Sequence, residues 1–221
     1  MYVRTRTGLG KASALGSSWK QTRHLGVGSY SGEIRQGPDD RLYRWIESSD
    51  GLGNPTGLWN LPERAWRRLV EKIRALVGGG ILSNANITLA TAHVSGVSDN
   101  ATARQNIEDT SNGRAASRSS YGNAPGGSVK LDIRLLTGIL KLAETYSFSI
   151  SELAGGSHSK TSRHYAGVTV DVNVINGQRV SATHPDVANF KRDCRSLGAT
   201  EVLGPGDPNH ATHIHCAWPR P

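Results

Sequence analysis

Val168, Val170, Val172 and Val174 alternate with Thr169, Asp171 and Asn173 in an unbroken run. Successive side chains of a strand point to opposite faces, and β-branched residues suit a pleated, half-buried surface. The run therefore predicts a strand with its valines on a core and Asp171 on the opposite face. Residues that carry chemistry surround it. Ser162-Arg-His164-Tyr-Ala-Gly167-Val-Thr169-Val-Asp171 places a histidine seven positions before the aspartate, and His210-Ala-Thr-His213-Ile-His215 follows near the end of the chain.

The last segment reads as a strand over 212–218. His213, His215 and Ala217 share one face, and Thr212, Ile214, Cys216 and Trp218 share the other. Six of the eight histidines lie after residue 157. Zinc accepts imidazole nitrogen and carboxylate oxygen in a tetrahedral shell, and catalytic sites use three protein ligands with one position open. His164, Asp171 and His215 are the expected metal ligands. His213, on the same face as His215, and His210 are the expected catalytic residues, placed to move a proton as a carbonyl is attacked. Cys216 turns away from His215 and is left out of the ligand set.

The two segments resemble a known pattern. Ser162-x-His164-x-x-Gly167-x-Thr169-x-Asp171 resembles the Ser-x-His-x-x-Gly-x-Ala-x-Asp signature of the zinc D,D-carboxypeptidases. His213-x-His215 resembles the His-x-His of the superfamily of lysostaphin-type peptidases, D-Ala-D-Ala metallopeptidases and hedgehog proteins. The spacing of His210, His213 and His215 is similar to that of the penicillin-insensitive murein endopeptidases. The resemblance covers residues 80–221 and is strongest over 155–215. It implies an α+β fold, a small antiparallel sheet flanked by helices. It implies zinc on His164, Asp171 and His215, His213 as the catalytic histidine, and hydrolysis of peptidoglycan stem or cross-link peptides by a D,D-carboxypeptidase or endopeptidase. Ser157, His158, Ser162 and Arg163 are expected to bind substrate.

Three departures stand out. Thr212 occupies a place where many members carry an acid. The upstream arginine of those members is missing from Ser151-Glu-Leu-Ala-Gly-Gly-Ser-His158. Thr169 replaces the signature alanine. The first two raise an alternative, a zinc-binding pseudoenzyme or recognition module. Glu152 reads either as a partner of a ligand histidine or as a solvent-facing strand residue.

Charge is uneven. The net charge is +8, and residues 1–80 hold 13 Lys/Arg against 7 Asp/Glu. The organisation expected is an extended basic arm over 1–30, a small module with turns and one helix over 31–80, and the peptidase-like domain over 81–221. Basic residues in the arm are sparse and aromatics few, so nucleic acid is not the expected partner; residues 1–60 are expected to dock on a protein assembly. No apolar run is long enough to span a membrane, and the N-terminus lacks the apolar core of a secretory signal. Action at the cell wall then implies non-classical delivery, or a structural component of a phage or phage-tail-like particle. Cys194 and Cys216 read equally as a disulfide or as two buried thiols.

The remaining pattern predicts a strand at Leu42–Ile46 and a helix over 61–77, with a cap at Asn60 and Glu63 and an end at Gly78–Gly80. It also predicts a strand near Ile87, a long polar loop over 95–128 and a helix over 131–146. A strand from Phe148 to Leu153 and a helix over 186–197 follow, with His184 at the latter's start.

Overall fold

The computed structural model describes the chain from Glu63 to Arg220, with side chains from Arg67 onwards, and six strands before it. Those strands are β1 (Tyr2–Thr5), β2 (Gly8–Lys11), β3 (Lys20–Val27), β4 (Tyr30–Gln36), β5 (Leu42–Ile46) and β6 (Leu58–Trp59). β1 pairs with β2, and β3 to β6 form an antiparallel sheet in chain order. The expected strand at Leu42–Ile46 is β5. The rest of the arm over 1–30, the turns over 31–60 and the cap at Asn60 lie outside the described residues.

The chain divides into two compact units, Met1–Val70 and Glu71–Pro221. The division falls ahead of the glycine run at which the boundary was expected. Helix α1 (Glu63–Leu82) continues through Gly78–Gly80 rather than stopping there. The continuation places Ile81 in the core with no exposed surface. A Cβ at Gly78 would stand 3.0 Å from the Ser111 backbone nitrogen, so this glycine permits close packing instead of ending the helix.

The second unit is α+β. A mixed sheet runs in the order β13 (Glu201–Leu203), β14 (Ile214–Ala217), β11 (Thr169–Ile175), β10 (Phe148–Glu152), β7 (Ile87–Leu89), with β12 (Gln178–Arg179) pairing on β11. The sheet is antiparallel, as expected, except at its edge, where β7 runs parallel to β10. Parallel neighbours need a long crossover, which is supplied by the chain carrying α2 (Ala103–Ser111) and α3 (Ile133–Leu142). A two-stranded sheet of β8 (Ala116–Ser117) and β9 (Ser128–Val129) lies in the same crossover. The expected loop over 95–128 is thus structured. Thr102 caps α2 by accepting from the Gln105 amide, and Ala103, Asn106, Ile107 and Thr110 are buried on one side. Asn106 bonds the Ser117 carbonyl at 2.9 Å and the Ala154 amide at 2.8 Å, so a polar residue does the work of a core position.

Val170 and Val172, Ile150, and Ile214 and Cys216 pack in one apolar cluster with Leu135, Leu136 and Ile139 of α3 and Phe190 of α4 (Val187–Ser196). The alternation read from the valines holds as far as Val172. Ser149 then pairs with Val174 and Ile150 with Val172, which leaves Asn173 as an extra residue in β11. This bulge puts Ile175 in the core and leaves Val174 half-buried and outside that cluster. A second irregularity, at Ser151, sets Glu152 opposite Asp171. Cys194 of α4 and Cys216 of β14 form a disulfide, with Cα atoms 6.3 Å apart. Among the described residues no helix is long and apolar enough to cross a membrane.

Two glycines should respond oppositely to alanine. At Gly138 of α3 a Cβ would meet the buried Trp218 ring at 2.4 Å, whereas Gly79 of α1 has nothing within 4 Å. Gly138→Ala is expected to cost about 1–3 kcal/mol by overpacking, and Gly79→Ala to gain up to about 1 kcal/mol of helix propensity. Chemical denaturation of the two variants checks the pair.

Candidate metal centre

The site lies on the sheet face opposite the apolar cluster, in the middle of the β10–β11–β14 ladder. Asp171 sits directly across from His215 on one side and from Glu152 on the other. His164 comes from the short 3-10 turn His164–Ala166 just before β11, and Gly167 ends that turn at φ 69°. A Cβ at Gly167 would stand 2.7 Å from the Lys130 carbonyl, so both its conformation and its surroundings require glycine. Ser162 Oγ accepts from the His164 amide at 3.3 Å.

His164 is 1 % exposed, Asp171 5 % and His215 7 %. His215 Nδ1 lies 3.0 Å from Asp171 Oδ1, and His164 Nε2 lies 3.2 Å from Asp171 Oδ2. The opposite nitrogen of each ring is engaged elsewhere. His164 Nδ1 donates to the Leu153 carbonyl, and His215 Nε2 lies 3.1 Å from Glu201 Oε1. Such outer partners hold the proton on the far nitrogen. With its proton on Nδ1, the His164 ring turns a lone pair towards Asp171 Oδ2, acceptor against acceptor, while His215 Nδ1 is within hydrogen-bond distance of Oδ1. His164 Nε2 is buried without any hydrogen-bond partner. A second proton on the His164 ring or a cation beside it relieves this arrangement.

The electrostatics agree. Burial acts against the ionised form of Asp171, but His164 and His215 outweigh it and hold its carboxyl well below the usual range. Burial likewise opposes a charged His164, and Asp171 with the Leu153 carbonyl overcomes it, raising the ring's pKa. The result is a buried carboxylate that stays anionic and attracts positive charge.

His158 is closer to this centre than its sequence reading as a substrate-binding residue implied. His158, His164 and Asp171 each offer a ligand atom within 4.8 Å of the others, a group able to hold a metal ion. The His158 and His164 rings, however, stack with centroids 3.8 Å apart and planes 6° apart. A ring lone pair lies in the ring plane, so two parallel rings do not both aim at one ion. The His164 and His215 rings cross at 66°, with centroids 5.1 Å apart. His215 adds a further ring nitrogen at the other oxygen of Asp171. His158 is held neutral, its pKa lowered to about 4 by burial and by His164.

These groups line a cleft of about 890 Å³ that also takes in Ser157, Ser162, Arg163, His210, Thr212 and His213. His213 Nε2 is 3.9 Å from Asp171 Oδ2, and burial lowers its pKa. His210 packs beside it with ring centroids 4.9 Å apart. Ser157 accepts from the Asn123 amide, and Arg163 bonds Thr200 and lies 3.6 Å from Glu201. The residues expected to bind metal or substrate or to act in catalysis thus line one cleft. His184 is elsewhere, bonding the Ile175 carbonyl.

Sequence reasoning missed Glu201, whose place beside His215 depends on the β13–β14 pairing. It also missed His93. That ring is clamped between Glu152 at 2.9 Å and Asp99 at 2.7 Å, which makes Glu152 a buried partner of His93 rather than a solvent-facing residue.

No family model, no curated protein and no solved structure matches this chain.

The His93 clamp has a pH consequence. Burial disfavours the charged ring, but hydrogen bonds and charge from Asp99 and Glu152 prevail and raise its pKa above 6.5. A raised folded pKa stabilises the fold fully below the unfolded value and loses that contribution as pH climbs through the folded value. NMR titration should place the His93 midpoint above 6.5. His93→Gln should flatten the decline in stability on the alkaline side; a midpoint at or below 6.5 contradicts the clamp.

Proposed function

We propose that this chain is a zinc-dependent hydrolase of peptidoglycan peptides. The observation that supports it best is the pair of oriented imidazole nitrogens facing the two oxygens of buried Asp171. Imidazole and carboxylate ligands with engaged outer nitrogens are the donor set that zinc favours. The substrate class rests on the resemblance of the 162–171 and 213–215 segments to wall peptidases.

His164, Asp171 and His215 would hold the ion. Bound there, zinc supplies Lewis acidity towards a carbonyl and lowers the pKa of water. His213 serves as the proton carrier: it is only partly buried, it reaches into the cleft, and its lowered pKa leaves it neutral and able to accept a proton. His210, beside it, relays or orients. Thr212 is exposed at the rim, so the missing acid is not replaced at that position. Glu152 and Glu201 bring carboxylates to the cleft instead, each held by a histidine.

Zinc analysis and mass spectrometry of digested peptidoglycan test the reading. Wild type should carry one zinc per chain and release peptide fragments. His164→Ala should lose the metal, whereas His213→Ala should keep it and lose about 10²–10⁴-fold in rate. If wild type and His215→Ala release the same fragments, the hydrolase reading fails. Stoichiometric zinc without any cleavage points to a zinc-binding recognition module.

A further inference from the structure

Arg163 opens the 3-10 turn that carries His164, and its carbonyl accepts from the Ala166 amide at 3.1 Å. Its side chain leaves that turn and crosses to the strands that carry His215. Nη1 donates to Thr200 Oγ1 at 2.8 Å and to the Trp218 carbonyl at 3.4 Å, and Nε lies 3.6 Å from Glu201 Oε2. Thr200 precedes β13, Glu201 opens it, and Trp218 follows β14. Glu201 pairs with Ala217 and Leu203 with His215, so Glu201 and His215 share one face of that ladder, diagonal to each other. The other oxygen of the same carboxylate, Glu201 Oε1, lies 3.1 Å from His215 Nε2.

These contacts close a ring. From His164 the path runs along the backbone to Arg163, across to Glu201, through His215 to Asp171, and from Asp171 back to His164. An ion pair between two half-buried groups at 3.6 Å adds little to stability. What it fixes is geometry. A carboxylate at the outer nitrogen holds the proton on Nε2 and leaves the lone pair on Nδ1, the nitrogen that faces Asp171. A guanidinium fastened to Thr200 and Trp218 keeps that carboxylate from swinging out to solvent. We propose that Arg163 and Glu201 are positioning residues for the metal: together they form a bracket that sets the His215 ring relative to His164, and metal affinity depends on it. This assigns Arg163 to the metal centre rather than to substrate. It rests on His164, Asp171 and His215 as the ligands, and it is independent of the reaction the cleft performs.

Titration of the full chain with zinc in competition with a fluorescent chelator measures the affinity without any turnover. Glu201→Ala and Arg163→Ala should each weaken zinc binding about 10–100-fold, with circular dichroism unchanged. Both act through one contact, so the double variant should lose no more than Glu201→Ala alone. Arg163→Lys, which keeps the charge without the planar fork, should fall between wild type and Arg163→Ala, and it serves in place of the alanine variant should that one misfold. Nitrogen NMR of the His215 ring in the zinc-free chain should find the proton on Nε2 in wild type and shared between both nitrogens in Glu201→Ala. Wild-type zinc affinity in Glu201→Ala or in both Arg163 variants overturns the bracket and leaves the metal centre standing. So do additive losses in the double variant, or a His215 ring that Glu201→Ala does not alter. A wild-type chain that binds no zinc overturns the metal centre and the bracket with it.

Discussion

A carboxylate buried at the centre of a sheet is unfavourable unless other groups answer its charge. Asp171 is answered on both oxygens by histidines from different parts of the chain, His164 from the turn before its own strand and His215 from the strand beside it. The rest of the second unit follows from keeping those three side chains together. β11 and β14 must pair in the register that sets Asp171 across from His215, and that register also turns Val170, Val172, Ile214 and Cys216 into the core. The apolar face and the chemical face are two sides of one ladder, and a slip of one residue would exchange them.

Around this centre the fold supplies orientation. The Leu153 carbonyl and Glu201 hold the outer nitrogens of His164 and His215, and Gly167 lets the turn carrying His164 close against Lys130. The disulfide joins α4 to the strand that bears His215. Irregularities in the ladder fall beside the site, at Ser151 and Asn173, and they aim Glu152 and Asn173 towards the cleft. The polar stretch between β7 and β10 contributes the His93 clamp and one wall of the cleft through Tyr121.

Much of this was legible in the sequence because it depends on local alternation. The valine run and the histidines of the last strand assign faces without knowledge of the partner strands, and the residues so assigned do meet. What was not legible depends on pairing or on polar packing. Glu201 reaches His215 only because β13 lies against β14. His158 stacks on His164 only because of the path of the chain over 153–163. Helix α2 escaped notice because Asn106 and Thr110 fill its buried side and satisfy themselves by hydrogen bonds. Its one local signal was Thr102 followed by Gln105, the pattern of a capping box. The glycines of α1 read as a stop, yet one of them is a contact surface.

The central claim is that Asp171 organises His164 and His215 around one ion. X-ray absorption at the zinc edge, on the zinc-loaded full chain, measures that shell most directly. The account predicts two imidazole nitrogens at about 2.0–2.1 Å and carboxylate or water oxygen in the remaining positions, with one imidazole lost in His215→Ala and none in His158→Ala. A shell that loses an imidazole in His158→Ala and keeps both in His215→Ala would contradict it.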